Sequence, residues 1–270
     1  MESYPHLADH VSVRVPSGAR RTRRPETADG RTIERPRQIE TVREVEAQEP
    51  LIDVVPRERS DRLNRAVNLT LGVIALAILS PFFVLVAIAI KLTSRGPIFY
   101  SQSRVGVDRR SRFGKTDDRR VYDLGGRPFT MYKFRTMHVN AESDGQAVWA
   151  QKMDPRVTMV GRVLRRTSLD ELPQLYNVLR GDMNIVGPRP ERPTIFANLR
   201  QNIPQYPLRQ RVKPGITGWA QINQNYDVTM DCVREKVRYD LEYLRRQSIV
   251  EDLRIMTMTV PVMLFRKGGW

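Results

Sequence analysis

Between residues 66 and 90 the chain carries no charge for 25 consecutive positions, and residues 71–90 are apolar except for Ser80. As a helix rising 1.5 Å per residue this run reaches about 37 Å, enough to cross a hydrocarbon core of about 30 Å. Pro81 lies near its middle, where a missing N–H and a ring clash favour a kink. Ser80, just before it, is placed to satisfy a freed backbone group in apolar surroundings. Both flanks are basic, with Arg57, Arg59, Arg62 and Arg65 before the run and Lys91, Arg95, Arg104 and Arg109 after it. Cations are retained on the cytoplasmic side, so these flanks suit a helix that enters one leaflet, turns at Ser80 and Pro81 and returns to the same face. On these grounds a kinked single span is still the default reading of such a run, and a buried helix of a soluble core is the third.

The remaining pattern is weaker and mixed. Residues 91–165 read as a basic segment of short strands and turns, in which 129–137 is the best strand. Its period of two places Phe129, Met131, Lys133, Arg135 and Met137 on one face, with Tyr132 and Phe134 opposite. Two cations on an otherwise apolar face suit a site that meets an anion, or else two side chains snorkelling at a lipid surface. Residues 167–180 follow as a helix, with Leu169, Leu172, Leu175 and Leu179 at helical spacing and Gly181 fit to cap its end. Residues 182–225 are rich in turn signals. An amphipathic helix is expected over 229–246, striped by Val233, Val237, Leu241 and Leu244. A more apolar one over 249–265, interrupted by Pro261, packs in the core or lies in the membrane interface. The fold class expected from this pattern is α+β and helix-rich, with one long apolar helix broken at Pro81, amphipathic helices and a small β element.

Charge sharpens the domain organisation. The 270 residues carry a net charge of +15, but residues 1–60 hold 11 Arg against 11 acidic residues, so the whole surplus belongs to residues 61–270. With prolines at 5, 16, 25, 36, 50 and 56 and no apolar period, 1–60 reads as a disordered, charge-balanced cytoplasmic tail, in which only Leu51, Ile52, Val54 and Val55 have reason to dock on the body. No basic-then-apolar leader follows Met1, which argues against a cleaved signal peptide. Residues 61–92 stand apart as the apolar helix, and 93–270 as the rest of the basic body. The surplus charge also fits a rival class, a basic membrane-associated module that binds nucleic acid, but no helix-turn-helix, zinc or ribonucleoprotein signature accompanies it.

The chemistry available is narrow. One cysteine, Cys232, and three histidines exclude an internal disulfide and a cysteine-cluster zinc site, and make a histidine triad improbable. Carboxylates, Lys, Arg and a bound cation remain. Asp170 and Glu171 fall in the first turn of the 167–180 helix. With Ser168 as N-cap, Glu171 completes a capping box and needs no further role. Asp170 is less well explained, and a helix start would keep it ionised and offer N–H groups to a phosphate. An ionised carboxylate is also a nucleophile, provided cations offset its repulsion from a phosphate. Arg162, Arg165, Arg166, Arg189 and Arg192 are near in sequence. Arg189, between Pro188 and Pro190, is either a fixed bidentate phosphate ligand or a solvated turn arginine. Neither a GxxxxGK[ST] loop nor a GxGxxG turn is present.

Six motifs in order then give a specific likeness. They are Ser80-Pro81, Lys-Phe-Arg-Thr-Met at 133–137, Thr-Ser-Leu-Asp-Glu-Leu-Pro-Gln at 167–174, Gly-Asp-Met at 181–183, Val-Gly-Pro-Arg-Pro at 186–190 and Lys-Pro-Gly-Ile-Thr-Gly-Trp at 213–219. Through them residues 61–270 resemble the bacterial sugar transferases, the monotopic phosphoglycosyl transferases that act on polyprenyl phosphates. The resemblance implies transfer of a sugar 1-phosphate from a UDP-sugar to undecaprenyl phosphate with release of UMP, initiating exopolysaccharide, capsule or O-antigen synthesis at the bacterial cytoplasmic membrane. It implies a monotopic α+β membrane enzyme with a re-entrant helix over 61–92 broken at Ser80 and Pro81, amphipathic interfacial helices, 93–270 as the cytoplasmic catalytic part, and both ends cytoplasmic. It implies Asp170 as the nucleophile that forms a phosphosugar-enzyme intermediate, and Asp170 and Glu171 as the residues associated with Mg²⁺. It also implies Pro188, Arg189 and Pro190 in the nucleotide and phosphate site. Lys133 and Arg135 are candidates to hold one of the phosphates. No nucleic-acid partner is expected, and a homo-oligomer is compatible with the reading. A polysaccharide-assembly scaffold without catalysis is the remaining rival, disfavoured by the intact carboxylate pair. One departure is noted: after Ala220 and Gln221 this chain continues Ile-Asn-Gln-Asn-Tyr-Asp at 222–227, where many relatives have an Asn-Gly turn.

Overall fold

The uncharged run forms most of α1 (Asp61–Thr93) in a computed structural model that describes residues 54–108, 125–139, 141, 154–224 and 229–265. Of the tail expected over 1–60, residues 1–53 lie outside the described residues, as do residues 225–227 of the departure at 222–227. Ser60 Oγ accepts from the Leu63 N–H to start α1, and the Ser94 N–H donates to Ile90 O to close it. Helix continues through Ser80 and Pro81. The missing Pro81 amide would have bonded Ala77 O, and the Ser80 hydroxyl donates to that same carbonyl at 2.8 Å. By length and composition α1 is long and apolar enough to cross a membrane.

One stripe of α1, through Asn64, Asn68, Gly72, Val86 and Ile90, is buried, while Val73, Ile74, Ile78, Val84, Leu85 and Ile88 on the opposite side are exposed. The buried stripe docks at both ends. Near the start, Arg65 donates to Val178 O and Leu179 O, each at 2.5 Å, and Asn68 Oδ1 accepts from the Ile185 N–H at 2.7 Å. Gly72 lets Leu179 come close, since a Cβ there would lie 3.2 Å from Leu179 Cδ2. Near the end, Val86 and Ile90 pack with Phe134 and Leu164.

The β element is a hairpin of β1 (Phe99–Val105) and β2 (Pro128–Phe134), antiparallel and in register from Phe99 opposite Phe134 to Val105 opposite Pro128. The strand expected over 129–137 stops at Phe134, and Met137 makes only an isolated bridge to Val157. Both faces of β2 are covered: Met131 packs on Val178 and Met183, and Phe134 on α1.

A short helix, α2 (Met159–Arg166), occupies the end of a stretch expected to hold only short strands and turns. Thr158 Oγ1 accepts from the Gly161 N–H to cap it. Leu164 buries against α1, leaving Met159 80% and Val163 60% exposed. The single helix expected over 167–180 is divided. Thr167 ends α2, Ser168 takes a left-handed conformation (φ +55°), Leu169–Glu171 is a 3₁₀ turn, and α3 (Gln174–Arg180) begins only after Pro173. Pro173 has no N–H to continue the ladder, so the α-helix restarts beyond it. Gly181 (φ +84°) closes α3, donating to Asn177 O and Val178 O.

The second half packs around a parallel pair, β3 (Asn184–Val186) and β4 (Gly215–Thr217). A Cβ on Gly215 would lie 2.1 Å from Gly187 N, so this approach needs glycine. α4 (Pro193–Asn202) and a 3₁₀ helix, Tyr206–Arg211, form where turns were expected, Pro193 opening α4 at a position that tolerates its missing N–H. α5 (Trp219–Asn223), α6 (Met230–Arg246) and α7 (Ile249–Phe265) follow. The Val233, Val237, Leu241 and Leu244 stripe of α6 is buried with Phe196, Tyr206 and Ile255 in the main core. Val54 joins it, and its carbonyl accepts from Arg211 at 2.7 Å. Among the described residues the architecture is thus helix-rich α+β, with two small sheets and one long apolar helix.

Candidate active site

Two irregular connections and the end of β2 meet to form the site. The turn between α2 and α3 carries Asp170 and Glu171, residues 187–191 after β3 carry Arg189, and β2 carries Lys133. The left-handed Ser168 is the sole non-glycine residue with positive φ among the described residues, a conformation that costs about 1 kcal/mol for an L-residue. Thr167 Oγ1 donates back to Val163 O and Leu164 O, and the Ser168 N–H to Arg165 O, so the end of α2 holds the turn in place. The capping box is not formed: Ser168 makes no side-chain cap bond, and Glu171 is used elsewhere.

Glu171 is clamped by two cations. Lys133 Nζ donates to Oε1 at 2.6 Å, Arg189 Nη1 donates to Oε2 at 2.9 Å, and Arg189 Nη2 makes a further bond to Oε1. Burial pushes the Glu171 carboxyl up, but Arg189 and Lys133 more than reverse this and hold it well below the usual carboxylate range. Asp170 differs. It is 8% exposed, and Lys133 Nζ comes only to 4.0 Å of Oδ2. No hydrogen bond reaches its carboxylate among the described residues. Burial pushes its carboxyl up to about 6; Lys133 opposes this, Glu171 reinforces it, and Arg189 and Arg165 oppose it further. The expected helix start that would keep Asp170 ionised is absent, because the turn is 3₁₀ and α3 starts four residues later. The pair is therefore unequal, with one carboxylate neutralised by its neighbours and the other under-compensated.

The loop at 187–191 is held through its backbone. The Gly187 N–H donates to Thr217 O at 2.9 Å, and Pro188 O accepts from the Gly215 N–H at 3.0 Å. Arg189 O accepts from Arg209 Nη2 and Pro190 O from Arg104 Nη1, both at 3.0 Å, and Glu191 O accepts from the Val105 N–H at 2.9 Å. Behind it, Glu191 faces Lys236 at 3.1 Å, with Arg104 and Arg209 within 4 Å. Burial raises the Glu191 carboxyl, but Lys236, Arg209 and Arg104 bring it down to about 2.

The structure thus brings Lys133, Asp170, Glu171 and Arg189 together, with Pro188 and Pro190 bracketing Arg189. Arg135 is not with them. It is 6% exposed and donates to Arg95 O at 2.7 Å, Ser94 O at 2.9 Å and Ser94 Oγ at 2.6 Å, tying the chain after β2 to the end of α1. Ser80 and Pro81 are exposed in the middle of α1. Arg104, Glu191, Arg209, Lys236 and Asp240 were not anticipated. The signal available was on α6, where Lys236 and Asp240 fall at the spacing of the buried Val233 and Val237 stripe and so had to be paired inside.

No group of three or more His, Cys, Asp or Glu converges among the described residues. Two adjacent carboxylates, one under-compensated, do fit a hard cation that takes most of its remaining ligands from water and substrate phosphates. Comparison with known proteins decides the lineage. The bacterial sugar transferase profile matches residues 59–266. The chain belongs to that family. This sugar transferase is 42% identical over 213 residues to the UDP-glucose:undecaprenyl-phosphate glucose-1-phosphate transferase of Escherichia coli (strain K12), an alignment covering 78% of the chain and 42% of the relative. It is 39% identical over 207 residues to the UDP-N-acetylgalactosamine-undecaprenyl-phosphate N-acetylgalactosaminephosphotransferase of Aeromonas hydrophila, covering 77% of the chain and 45% of the relative. A Caulobacter vibrioides protein named as a UDP-glucose:undecaprenyl-phosphate glucose-1-phosphate transferase is 38% identical over 212 residues, covering 78% of the chain and 73% of the relative. The chain spans less than half the length of the first two. The matched stretch includes α1 and all four residues of the site.

Proposed function

We propose that this sugar transferase moves a sugar 1-phosphate from a UDP-sugar to undecaprenyl phosphate and releases UMP, initiating a bacterial surface polysaccharide. The observation that carries this reading is the unequal pair, a buried Asp170 with no hydrogen-bond donor among the described residues beside a Glu171 clamped by Lys133 and Arg189. An Asp170 oxygen attacks the phosphorus that bears the sugar. The bond from that phosphorus to the bridging oxygen breaks, UMP leaves with the oxygen, and the sugar phosphate stays on Asp170 as an acyl phosphate. An oxygen of the lipid phosphate then attacks the same phosphorus, which returns Asp170 as a carboxylate and yields a polyprenyl diphosphate sugar. A water-soluble donor and a lipid acceptor thereby use one nucleophile in turn.

Lys133 and Arg189 supply fixed positive charge where the phosphate oxygens gain negative charge, at no cost in reorganisation. Arg165 projects its charge onto Asp170 from α2, the helix whose Met159 and Val163 are exposed, and so meets a phosphate arriving on a lipid. Mg²⁺ fits beside Asp170 and Glu171, Asp170 being the readier ligand because Glu171 is already clamped, and when bound it neutralises phosphate charge.

The same reading makes α1 re-entrant in the cytoplasmic membrane, with the catalytic part and both ends of the chain cytoplasmic. Residues 64–72 and 86–90 both bear on the body that holds the site, although a straight helix would separate residues 64 and 90 by about 39 Å. The exposed apolar side of α1 is left for lipid. The test is UMP release by the protein in nanodiscs with Mg²⁺, undecaprenyl phosphate and a panel of UDP-sugars. Release with at least one sugar, abolished by Asp170→Asn, is expected; no release with any sugar, or release that survives the substitution, overturns the reading.

A further inference from the structure

Arg189 is the part of the site most open to water, its side chain 36% exposed, so packing of the side chain alone does not fix where its guanidinium reaches. Its backbone is held instead, and the decisive contact comes from a fully buried side chain. Arg209 Nη2 donates to Arg189 O at 3.0 Å and lies 2.6 Å from Asp240 Oδ2, while Nη1 donates to Tyr206 OH at 2.8 Å. The Arg209 side chain is 0% exposed and that of Asp240 2%. Arg209 also stacks on Tyr206, 5.0 Å from the ring centroid.

A buried Arg–Asp pair is a poor way to stabilise a core, because apolar residues of similar volume usually do as well or better. This pair does one thing that apolar residues cannot: it presents a charged donor to the carbonyl of the residue whose side chain enters the site. Pro188 and Pro190 restrict the backbone on either side, so a carbonyl fixed at 189 also fixes the Cα–Cβ direction from which the guanidinium reaches Glu171.

We propose that Arg209, oriented by Asp240, is a positioning residue for Arg189, setting its reach onto Glu171 and onto a bound substrate phosphate. This rests on the function given above. Arg209→Lys is the informative change, since lysine keeps the charge beside Asp240 but cannot bond Tyr206, Asp240 and the Arg189 carbonyl in one plane.

The experiment is a double-mutant cycle on UMP release combined with chemical labelling of Arg189. Displacement of a positioned group by about 1 Å costs up to about 100-fold in rate, so Arg209→Lys is expected to slow release by about tenfold or more, chiefly in kcat. Arg189→Lys also slows release, and the double variant is expected to be no slower than Arg189→Lys within about twofold, as sites acting through one another are non-additive. Losses that multiply overturn the proposal. Independently of turnover, phenylglyoxal labelling of Arg189, read by peptide mass spectrometry, is expected to be several-fold faster in Arg209→Lys, with the labelling of the exposed Arg254 unchanged. Equal labelling of Arg189 in both proteins overturns the proposal. If the unsubstituted protein releases no UMP with any sugar, the functional reading fails and the labelling result alone decides the positioning role. Should Arg209→Lys fail to fold, Asp240→Asn takes its place in both measurements.

Discussion

Replacing Asp170 by asparagine is expected to stabilise the protein while removing the proposed nucleophile. Burial moves this carboxyl from the ordinary 3.8 to about 6. A carboxyl raised by that amount costs the folded protein about 3 kcal/mol when ionised, at about 1.4 kcal/mol per pH unit. The sign follows from proton binding. Because the folded midpoint is the higher one, the folded state holds this proton more tightly than the unfolded chain. The associated stability is present at low pH and lost as pH rises through about 6. Asp170→Asn removes the dependence without stranding a cation, since Lys133 keeps its 2.6 Å bond to Glu171. The gain is expected to be about 3 kcal/mol at pH 7.5, about half of that at pH 5 and small at pH 4. At about 2–4 °C per kcal/mol for a body of this size, Tm rises by roughly 6–12 °C at pH 7.5. Paired thermal melts of both proteins in one detergent across that pH range measure it. A gain that does not depend on pH, or a loss of stability at pH 7.5, would refute the assignment of Asp170 as an under-compensated buried carboxylate.

Other consequences can be checked separately. Lys133→Met removes the cation that opposes the upward shift of Asp170, so the acid limb of single-turnover UMP release, set by a midpoint of about 6 in the unsubstituted protein, is expected to move to higher pH; an unmoved limb excludes that coupling. Arg135→Ala loses three hydrogen bonds to Ser94 and Arg95 and is expected to destabilise by about 2–4 kcal/mol, with the single-turnover rate per folded molecule retained; a selective loss of rate would return Arg135 to the site. At Ser168, glycine is expected to be tolerated within about 1 kcal/mol, whereas valine, β-branched in a left-handed conformation, is expected to cost about 2 kcal/mol or more; equal melting midpoints for the two variants would contradict the turn geometry.

Much of this architecture was legible in the chain because single strong signals determine it. A 25-residue stretch without charge has few fates other than a long apolar helix, and the Val233 to Leu244 stripe could bury only one face of α6. The Ser80 hydroxyl answers the carbonyl freed by Pro81, as local backbone chemistry required. The carboxylate pair was legible too, but its setting was not. Leucines at 169, 172, 175 and 179 carry a helical period straight through a left-handed residue and a 3₁₀ turn, because periodicity records which side chains are buried and not the backbone path between them. Lys133 and Arg135 share strand parity, yet β2 ends between them, so one reaches Glu171 and the other caps the end of α1. The support of Arg189 by Arg209 and Asp240 joins elements distant in sequence: the α6 stripe marks Asp240 as a buried charge that needs a partner, but nothing local names Arg209 as that partner.

Whether Asp170 carries the sugar phosphate is tested most directly by looking for it there. The protein in nanodiscs is incubated with Mg²⁺ and the UDP-sugar that supports turnover, with undecaprenyl phosphate withheld, then quenched in acid and examined by intact and peptide mass spectrometry. The expected result is a sugar phosphate adduct on the peptide containing Asp170, formed with stoichiometric UMP, absent from Asp170→Asn and discharged when the lipid phosphate is added. UMP release that requires the lipid phosphate, with no adduct in its absence, would contradict a two-step transfer through Asp170.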